Sequence, residues 1–294
     1  MSTIFTSLRW LVLLGLLAFG ARFMLLGGFG SQQDAAGPES PQLADTEKPD
    51  EALALLRRLE AAHAEIEAFS SPLTYRKEYA LEGDFETRIG EVAMRGHGAG
   101  REIILVFDRI IDASGHGTDQ LRYHLYKEGW WTEVDPGRKR VVSRQIQEPG
   151  SDRDPFDLGE GPLPLPIGQK ADRVLRRFSA SIGTPPTDAV LRGIKDPLVL
   201  HLVPRAGTPA SEDIASIDLL YDRTSLLPLG LLIIDENDDR TTAWMRKPRS
   251  DVDGDAFAGR ARDAVLLIEG ASDDPAWTNE RKPLPSSTPT EATP

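Results

Sequence analysis

The sequence predicts an α+β domain that is mainly β, with about nine to eleven antiparallel strands and two main helices. Apolar and polar residues alternate along most of the chain after Pro72, and a period of two is typical of strands. Turn-forming Gly, Pro, Asp and Asn residues separate the alternating runs, as in an antiparallel meander. A helical repeat of leucines precedes these runs. Composition does not shift again between residues 50 and 270, so we expect one folded domain there.

The stretch from residue 121 to residue 146 predicts three short strands separated by two tight turns. The first turn is Lys127-Glu128-Gly129, and the second is centred on Pro136 and Gly137. Proline presets φ and glycine adopts positive φ, so both segments suit tight turns. The flanking residues are aromatic and β-branched, as strands prefer.

Further strands are predicted on both sides of this stretch. The run Ile103-Ile104-Leu105-Val106-Phe107 is apolar at every position, which indicates a strand covered on both faces. The other predicted strands span residues 73–81, 87–94, 197–204, 214–222, 229–235 and 241–246. Five prolines between residues 148 and 168 exclude a central strand there. A loop of this length inside a compact domain is typically functional or lid-like.

The strongest helix prediction covers residues 50–69, where apolar residues recur at three- and four-residue spacing. Asp50 is suited to cap this helix. Its apolar stripe consists of Leu53, Leu56, Leu59, Ile66 and Phe69. A second amphipathic helix is predicted over residues 169–182 and a third, shorter one over residues 259–268. An amphipathic helix must lay its apolar stripe on another element, most simply on a sheet.

Charge and composition exclude several classes of function. The chain has 294 residues and a net charge of −12, so it lacks the basic surface that nucleic acids require. The same charge disfavours contact between the folded domain and an anionic membrane. Cysteine is absent, which excludes disulfides, thiol catalysis, cysteine metal sites and the lipid-modified cysteine of a lipoprotein.

The N-terminal segment predicts export from the cytoplasm. Arg9 precedes an apolar run of signal-peptide length, and small residues near Gly20 suit cleavage before Ala21. The alternative is an uncleaved anchor over residues 8–29, long enough to cross a bilayer. Under either reading the remainder lies in the cell envelope, on the periplasmic side. Residues 30–49 predict a disordered linker, and residues 271–294 predict a disordered Pro/Ser/Thr-rich tail.

No stretch predicts a catalytic centre, a metal site or a cofactor site. A metal site from His116 and His124 is disfavoured, because no carboxylate–histidine spacing supports it. The acidic run at residues 251–255 resembles a calcium loop, but its twelfth position is Arg262 rather than Glu. These absences favour a binding domain over an enzyme.

The order of elements resembles the LolA-type outer-membrane lipoprotein-sorting carriers. An export signal and an amphipathic helix come first. Residues 89–95 look like the early strand of that family, which ends in a basic residue. Residues 126–136 look like its aromatic hairpin with a Gly turn and a Val-Asp-Pro end. Residues 221–228 are similar to its late hairpin, which ends in Leu-Pro.

The resemblance implies an open half-barrel with an apolar cavity and a helical lid over residues 50–270. It further implies lipid or lipoprotein acyl chains as cargo, and a membrane-bound partner that loads or receives them. By strand alternation, we expect the cavity to be lined by Leu105, Phe107, Tyr123, Leu125, Ile217, Leu219 and Ile233. Arg95 is the candidate basic residue for contact with cargo.

Two non-enzymatic functions follow from this interpretation. The first is an envelope carrier or chaperone that shelters acyl chains. The alternative is a membrane-tethered sensor or scaffold on the same fold, which does not shuttle cargo. An enzyme ranks last, because the sequence offers no nucleophile–base pair.

Overall fold

The computed structural model describes residues 49–148, 150–151, 154–158, 165–250 and 255–284. The predicted export segment, the linker up to residue 48 and the acidic residues 251–254 lie outside the described residues. In the described part of the chain, no helix has the length and apolarity that a membrane crossing requires.

The described residues form one curled, unclosed sheet of twelve strands, which confirms the predicted open half-barrel of mainly β character. The strands are β1 (Ala68–Tyr79), β2 (Asp84–Arg95), β3 (Glu102–Ile111), β4 (Gly117–Lys127), β5 (Trp130–Asp135), β6 (Arg140–Gln145), β7 (Phe178–Ile182), β8 (Leu198–Pro204), β9 (Ile214–Tyr221), β10 (Pro228–Asp235), β11 (Arg240–Met245) and β12 (Thr278–Lys282). Their order across the sheet is β12-β6-β5-β4-β3-β2-β1-β11-β10-β9-β8-β7. All neighbours pair antiparallel except β12 and β6.

Three α-helices accompany the sheet: α1 (Pro49–Ala64), α2 (Ala171–Arg177) and α3 (Asp255–Asp273). Short 3₁₀ helices span Gly98–Gly100, Leu191–Gly193 and Pro209–Glu212. The α1 helix packs near β7 and α2, whereas α3 lies across β2 to β6.

The first helix is shorter than predicted. It ends at Ala64, and Phe69 belongs to β1, where it pairs with Met94. The spacing of Ile66 and Phe69 fits both a helix and a strand, and twelve paired positions along β2 favour the strand. The strand runs through Pro72, whose carbonyl accepts from the Arg246 amide at 2.9 Å.

The predicted second helix is also divided. It becomes the two-turn α2 followed directly by β7, because the segment from Phe178 onward pairs with β8. Val174 and Phe178 are both buried, as the predicted apolar stripe requires.

Part of the predicted C-terminal tail is ordered. The α3 helix continues to Asp273, and β12 then pairs with β6. Arg140 on β6 donates to Glu280 on β12 at 2.8 Å, and Asn279 donates to the Ala271 carbonyl at 2.7 Å. These specific contacts, rather than any apolar pattern, hold a segment whose composition predicted disorder.

The sheet has two faces, which we name by the helix that packs on each. Directly paired residues point to the same face. The outer face carries α3, whose Ala264 and Ala271 pack on Ile104, Tyr123 and Val134. The inner face is the opposite one and carries α1.

Side chains converge on the inner face. Tyr75 on β1 and Phe107 on β3 are two strands apart, and strand spacing alone separates their backbones by about 9.6 Å. Their ring centroids are only 6.1 Å apart. Among the described residues, eleven of the twelve largest fully buried side chains lie on this face or on segments packed against it. They are Tyr126, Tyr221, Phe107, Phe156, Phe178, Ile103, Leu105, Leu158, Leu200, Leu202 and Ile217. The main core is therefore on the inner face.

Candidate functional site on the inner face

The structure brings five of the seven predicted cavity residues to the inner face. Leu105 and Phe107 alternate along β3, and Ile217 and Leu219 alternate along β9. Ile233 on β10 pairs directly with Ile217. The first four are fully buried, and Ile233 is half-buried. These five residues therefore share one apolar surface.

The other two predicted cavity residues lie on the outer face. Tyr123 pairs with Val106 and Leu125 pairs with Ile104, and all four pack against α3. The inner positions of β4 are instead the more polar Arg122, His124 and Tyr126. Because β3 is apolar on both faces, alternation could not decide which face of β4 is the inner one.

Arg95 also lies away from the inner face. It ends β2 on the side of the sheet that carries Ala93, which packs near α3. Its side chain is exposed and donates to Glu102 on β3 at 2.5 Å. The structure therefore does not bring Arg95 together with the five apolar residues of the inner face.

The α1 helix covers one part of the inner face. The imidazole ring of His63 on α1 lies 5.8 Å from the ring of Tyr221 on β9, between centroids. His63 Nε2 lies 2.9 Å from the Leu226 carbonyl, and Nδ1 accepts from the Gly168 amide at 3.4 Å. Burial lowers the pKa of His63, and the bond to Leu226 opposes that shift. The helix is thus tied to the sheet by apolar contacts and by a neutral histidine.

A second part of the inner face is covered by the proline-rich segment that follows β6. Phe156 is fully buried and lies edge-on against Tyr126, with ring centroids 4.6 Å apart, and 6.2 Å from Trp131. The Gln169 amide donates to the carbonyls of Phe156 at 2.9 Å and Leu165 at 2.8 Å. The described residues of this segment therefore fill space above β4 and β5 with their own apolar side chains.

Two ion pairs hold the same segment. Arg101 lies 3.0 Å from Asp154, and Arg173 on α2 donates to Asp157 at 2.9 Å. Burial raises the pKa of Asp154, and the charge of Arg101 acts against that shift. Removing one partner of such a pair leaves an uncompensated buried charge, which is strongly destabilising.

The inner face also carries polar residues near its centre, on β2 and β4. His124 is 3% exposed and lies 5.8 Å from Phe107 and 5.7 Å from Trp131, between ring centroids. Burial, together with the charges of Arg88, Arg122 and Arg144, lowers the pKa of His124 to about 3. His124 is therefore neutral at physiological pH.

The structure does not combine His124 with His116. His116 lies in the exposed turn between β3 and β4, whereas His124 is buried in β4. In the part of the chain that the structure describes, no group of three or more His, Asp or Glu side chains has metal-binding geometry.

Sequence reasoning missed three features of the inner face: Phe156, Arg88 and His124. Phe156 lies among prolines, whose density indicated a loop but not where that loop packs. Arg88 and His124 are polar residues within strands, and alternation assigns such residues to solvent. The Tyr-His-Leu-Tyr sequence around His124 was a usable signal, because aromatic neighbours on a strand favour a buried position.

No family model and no curated protein matches this chain. Several solved structures are similar to it. An outer membrane lipoprotein-sorting protein domain from Vibrio parahaemolyticus shows 12% identity and a TM-score of 0.35, with 75% of this chain and 100% of that chain covered. A LolA superfamily protein from Nitrosomonas europaea shows 9% identity and a TM-score of 0.31, with coverages of 70% and 96%.

A structure of the MucA/MucB complex from Pseudomonas aeruginosa is similar too, with 16% identity and a TM-score of 0.36. The match covers 69% of this chain and spans 58% of the length of that chain. The solved structures that are similar to this chain thus include proteins of the class that its sequence resembles.

Proposed function

We propose that this protein is a non-enzymatic cell-envelope carrier or chaperone that shelters lipid or lipoprotein acyl chains on the inner face of its sheet. The observation that carries the proposal is a large apolar face of an unclosed sheet beneath a cover, which consists of α1 and the described residues between β6 and α2. An acyl chain gains about 0.8 kcal/mol for each CH₂ group that leaves water. An apolar face of this extent can therefore bind a chain tightly without any covalent chemistry.

The cover has to move for an acyl chain to enter. Phe156 contacts Tyr126 and Trp131, so a bound chain would take the place of the phenyl ring. Such an exchange replaces one apolar contact by another, and its net cost is small compared with exposing the inner face to water. The ion pairs of Asp154 and Asp157 would then set how readily the segment leaves.

The predicted export segment supports an envelope location on the periplasmic side. If the N-terminal segment is cleaved before Ala21, the protein can shuttle between membranes, and a membrane-bound partner would load it or receive its cargo. If the segment is retained, the same domain acts beside the membrane as a sensor or scaffold. The net charge of −12 supports a lipid or protein ligand rather than a nucleic acid.

Native mass spectrometry with lipid extraction tests this proposal on protein expressed with its own N-terminus. We expect bound lipid at a defined stoichiometry, and the mass shows whether the N-terminal segment is kept. A fluorescent acyl probe loaded on the protein should then transfer to acceptor vesicles. Retention of the probe would favour a sensor over a carrier, and delipidated protein that binds no acyl probe would contradict both.

A further inference from the structure

Three polar side chains surround one phenyl ring at the centre of the inner face. The ring of Phe107 lies 6.1 Å from the ring of Tyr75 and 5.8 Å from the ring of His124, between centroids. The guanidinium carbon of Arg88 lies 5.8 Å from the same ring centre. Strands β1, β2 and β4 thus bring Tyr75, Arg88 and His124 together around β3.

Two of these side chains lack hydrogen-bond partners among the described residues. Neither ring nitrogen of His124 has one, nor does the Tyr75 hydroxyl, although all three atoms are buried. The Thr241 side chain lies close enough to the Tyr75 hydroxyl to lower its pKa, but the two do not form a hydrogen bond of standard geometry. Buried polar atoms are almost always paired in folded proteins. Unpaired atoms on both sides of Phe107 therefore indicate a polar group that comes from outside the chain.

The neighbouring carboxylates are already engaged. Glu133 lies directly opposite His124 on β5, and Arg144 donates to it at 2.6 Å. Glu86 accepts from Arg88 Nε at 2.5 Å. Arg88 is 6% exposed and carries further N–H groups on its two terminal nitrogens.

All three groups can donate a hydrogen bond, and neutral His124 also has one acceptor nitrogen. Tyr75 offers a hydroxyl, neutral His124 offers one N–H, and Arg88 offers its guanidinium. The charge of Arg88 acts on the pKa of both Tyr75 and His124, so the three groups share one electrostatic environment. Hydrogen-bond donors that flank a guanidinium favour a negatively charged acceptor group.

We propose that Tyr75, Arg88 and His124 form an anion-binding seat on the inner face, which takes the carboxylate or phosphate group of an acyl-chain amphiphile. This inference rests on the proposed function, because the acyl chain would lie along the apolar part of the same face. The inference adds a ligand class to that function: the protein prefers amphiphiles with a single anionic head group over neutral ones.

The test compares three ligands that share a 16-carbon chain: palmitate, palmitoyl lysophosphatidic acid and hexadecanol. Calorimetry on delipidated full-length protein measures each affinity. We expect at least one of the two anions to bind ten-fold or more tightly than hexadecanol. Preference for palmitate would assign a carboxylate ligand, and preference for the lysophosphatidic acid would assign a phosphate.

Substitutions at the three residues test whether the anion preference arises from the anion-binding seat. His124→Phe and Tyr75→Phe keep an aromatic ring at each position and should reduce the anion preference at least three-fold, and Arg88→Met should abolish it. Tyr123→Phe removes a hydroxyl on the outer face and should leave the preference unchanged. Tyr75→Phe removes a single atom, so it keeps the test valid where a larger change prevents folding.

The outcomes separate this inference from the proposed function. Equal binding of all three ligands would overturn the anion-binding seat and leave the acyl-chain carrier intact. An anion preference that survives in all three inner-face variants would also overturn the seat. Absence of binding by every ligand would overturn the proposed function itself.

Discussion

The Nε2 atom of His63 on α1 lies 2.9 Å from the carbonyl oxygen of Leu226, in the turn between β9 and β10. A carbonyl can only accept, so the imidazole carries its proton on Nε2, and Nδ1 is free to accept from the Gly168 amide. One neutral ring thereby joins the helix, the hairpin turn and the segment that follows Ile167. This junction holds the cover on the inner face.

Replacing His63 by leucine is expected to loosen this junction. The change keeps apolar bulk but leaves two partly buried backbone groups, the Leu226 carbonyl and the Gly168 amide, without this partner, which costs about 1–3 kcal/mol. Urea unfolding measures the loss of stability. Relative to the wild type, amide hydrogen exchange in the variant should accelerate more along α1 than in β3. His116→Leu, in the exposed turn, should change stability by less than about 0.5 kcal/mol. Equal stability of the two variants would show that His63 does not hold the helix.

Acid should destabilise the protein through His124. Its pKa in the folded state is about 3, below the ordinary 6.5, so the unfolded chain binds a proton that the folded chain does not. Stability is then lost as pH falls below 6.5, and the loss ends near the folded-state pKa. One such group lowers the free energy of unfolding by about 2.5 kcal/mol as the pH falls from 7 to 4.5.

The variant His124→Phe isolates this effect. The free energy of unfolding of the variant minus that of the wild type should increase by about 2.5 kcal/mol as the pH falls from 7 to 4.5. Buried His63, whose pKa is also lowered, contributes equally to both proteins and cancels. A difference that stays constant with pH would mean that His124 is accessible to protons in the folded state.

Removing the Phe156 ring should weaken folding but strengthen lipid binding. Phe156→Ala deletes a fully buried side chain, which costs about 3–5 kcal/mol. It also opens space beside Tyr126 and Trp131, so affinity for an acyl probe should increase several-fold. Ile104→Ala, at a buried position of the outer face, serves as the control and should destabilise without raising affinity. Reduced probe affinity in Phe156→Ala would contradict the idea that an acyl chain replaces this ring.

Gly90 lies where the β2 backbone has no room for a side chain beside β3. A Cβ at this position would overlap the Val106 carbonyl oxygen and lie 2.8 Å from Phe107 Cα. Gly90→Ala should therefore cost about 3 kcal/mol or prevent folding, as measured by thermal unfolding. Gly100→Ala meets no atom within 4 Å and should be neutral. Matching stabilities would show that β2 can shift away from β3.

The sequence predicted strands better than it predicted faces. The Gly129 turn and the turn at Pro136 and Gly137 specify their hairpins locally, and both lie where expected. The face of Tyr123 and Leu125 depends on where α3 packs, which is a contact between distant segments. Alternation contains no information about that contact, so both predicted β4 residues were assigned to the wrong face.

The inner cover was beyond sequence reasoning for a similar reason. Phe156 is buried only because Gln169 and the pairs Arg101–Asp154 and Arg173–Asp157 fix the segment around it. These polar contacts have no periodicity that a sequence pattern could show. The strand β12 likewise depends on pairing with β6 rather than on its own composition.

Quenching of tryptophan fluorescence by a brominated fatty acid tests the central claim most directly. Among the described tryptophans, Trp131 is on the inner face, whereas Trp244 is on the outer face. Bromine quenches at short range, so we expect saturable quenching that is lost in Trp131→Phe and kept in Trp244→Phe. Quenching that survives in Trp131→Phe and disappears in Trp244→Phe would place the acyl chain on the outer face and contradict the account.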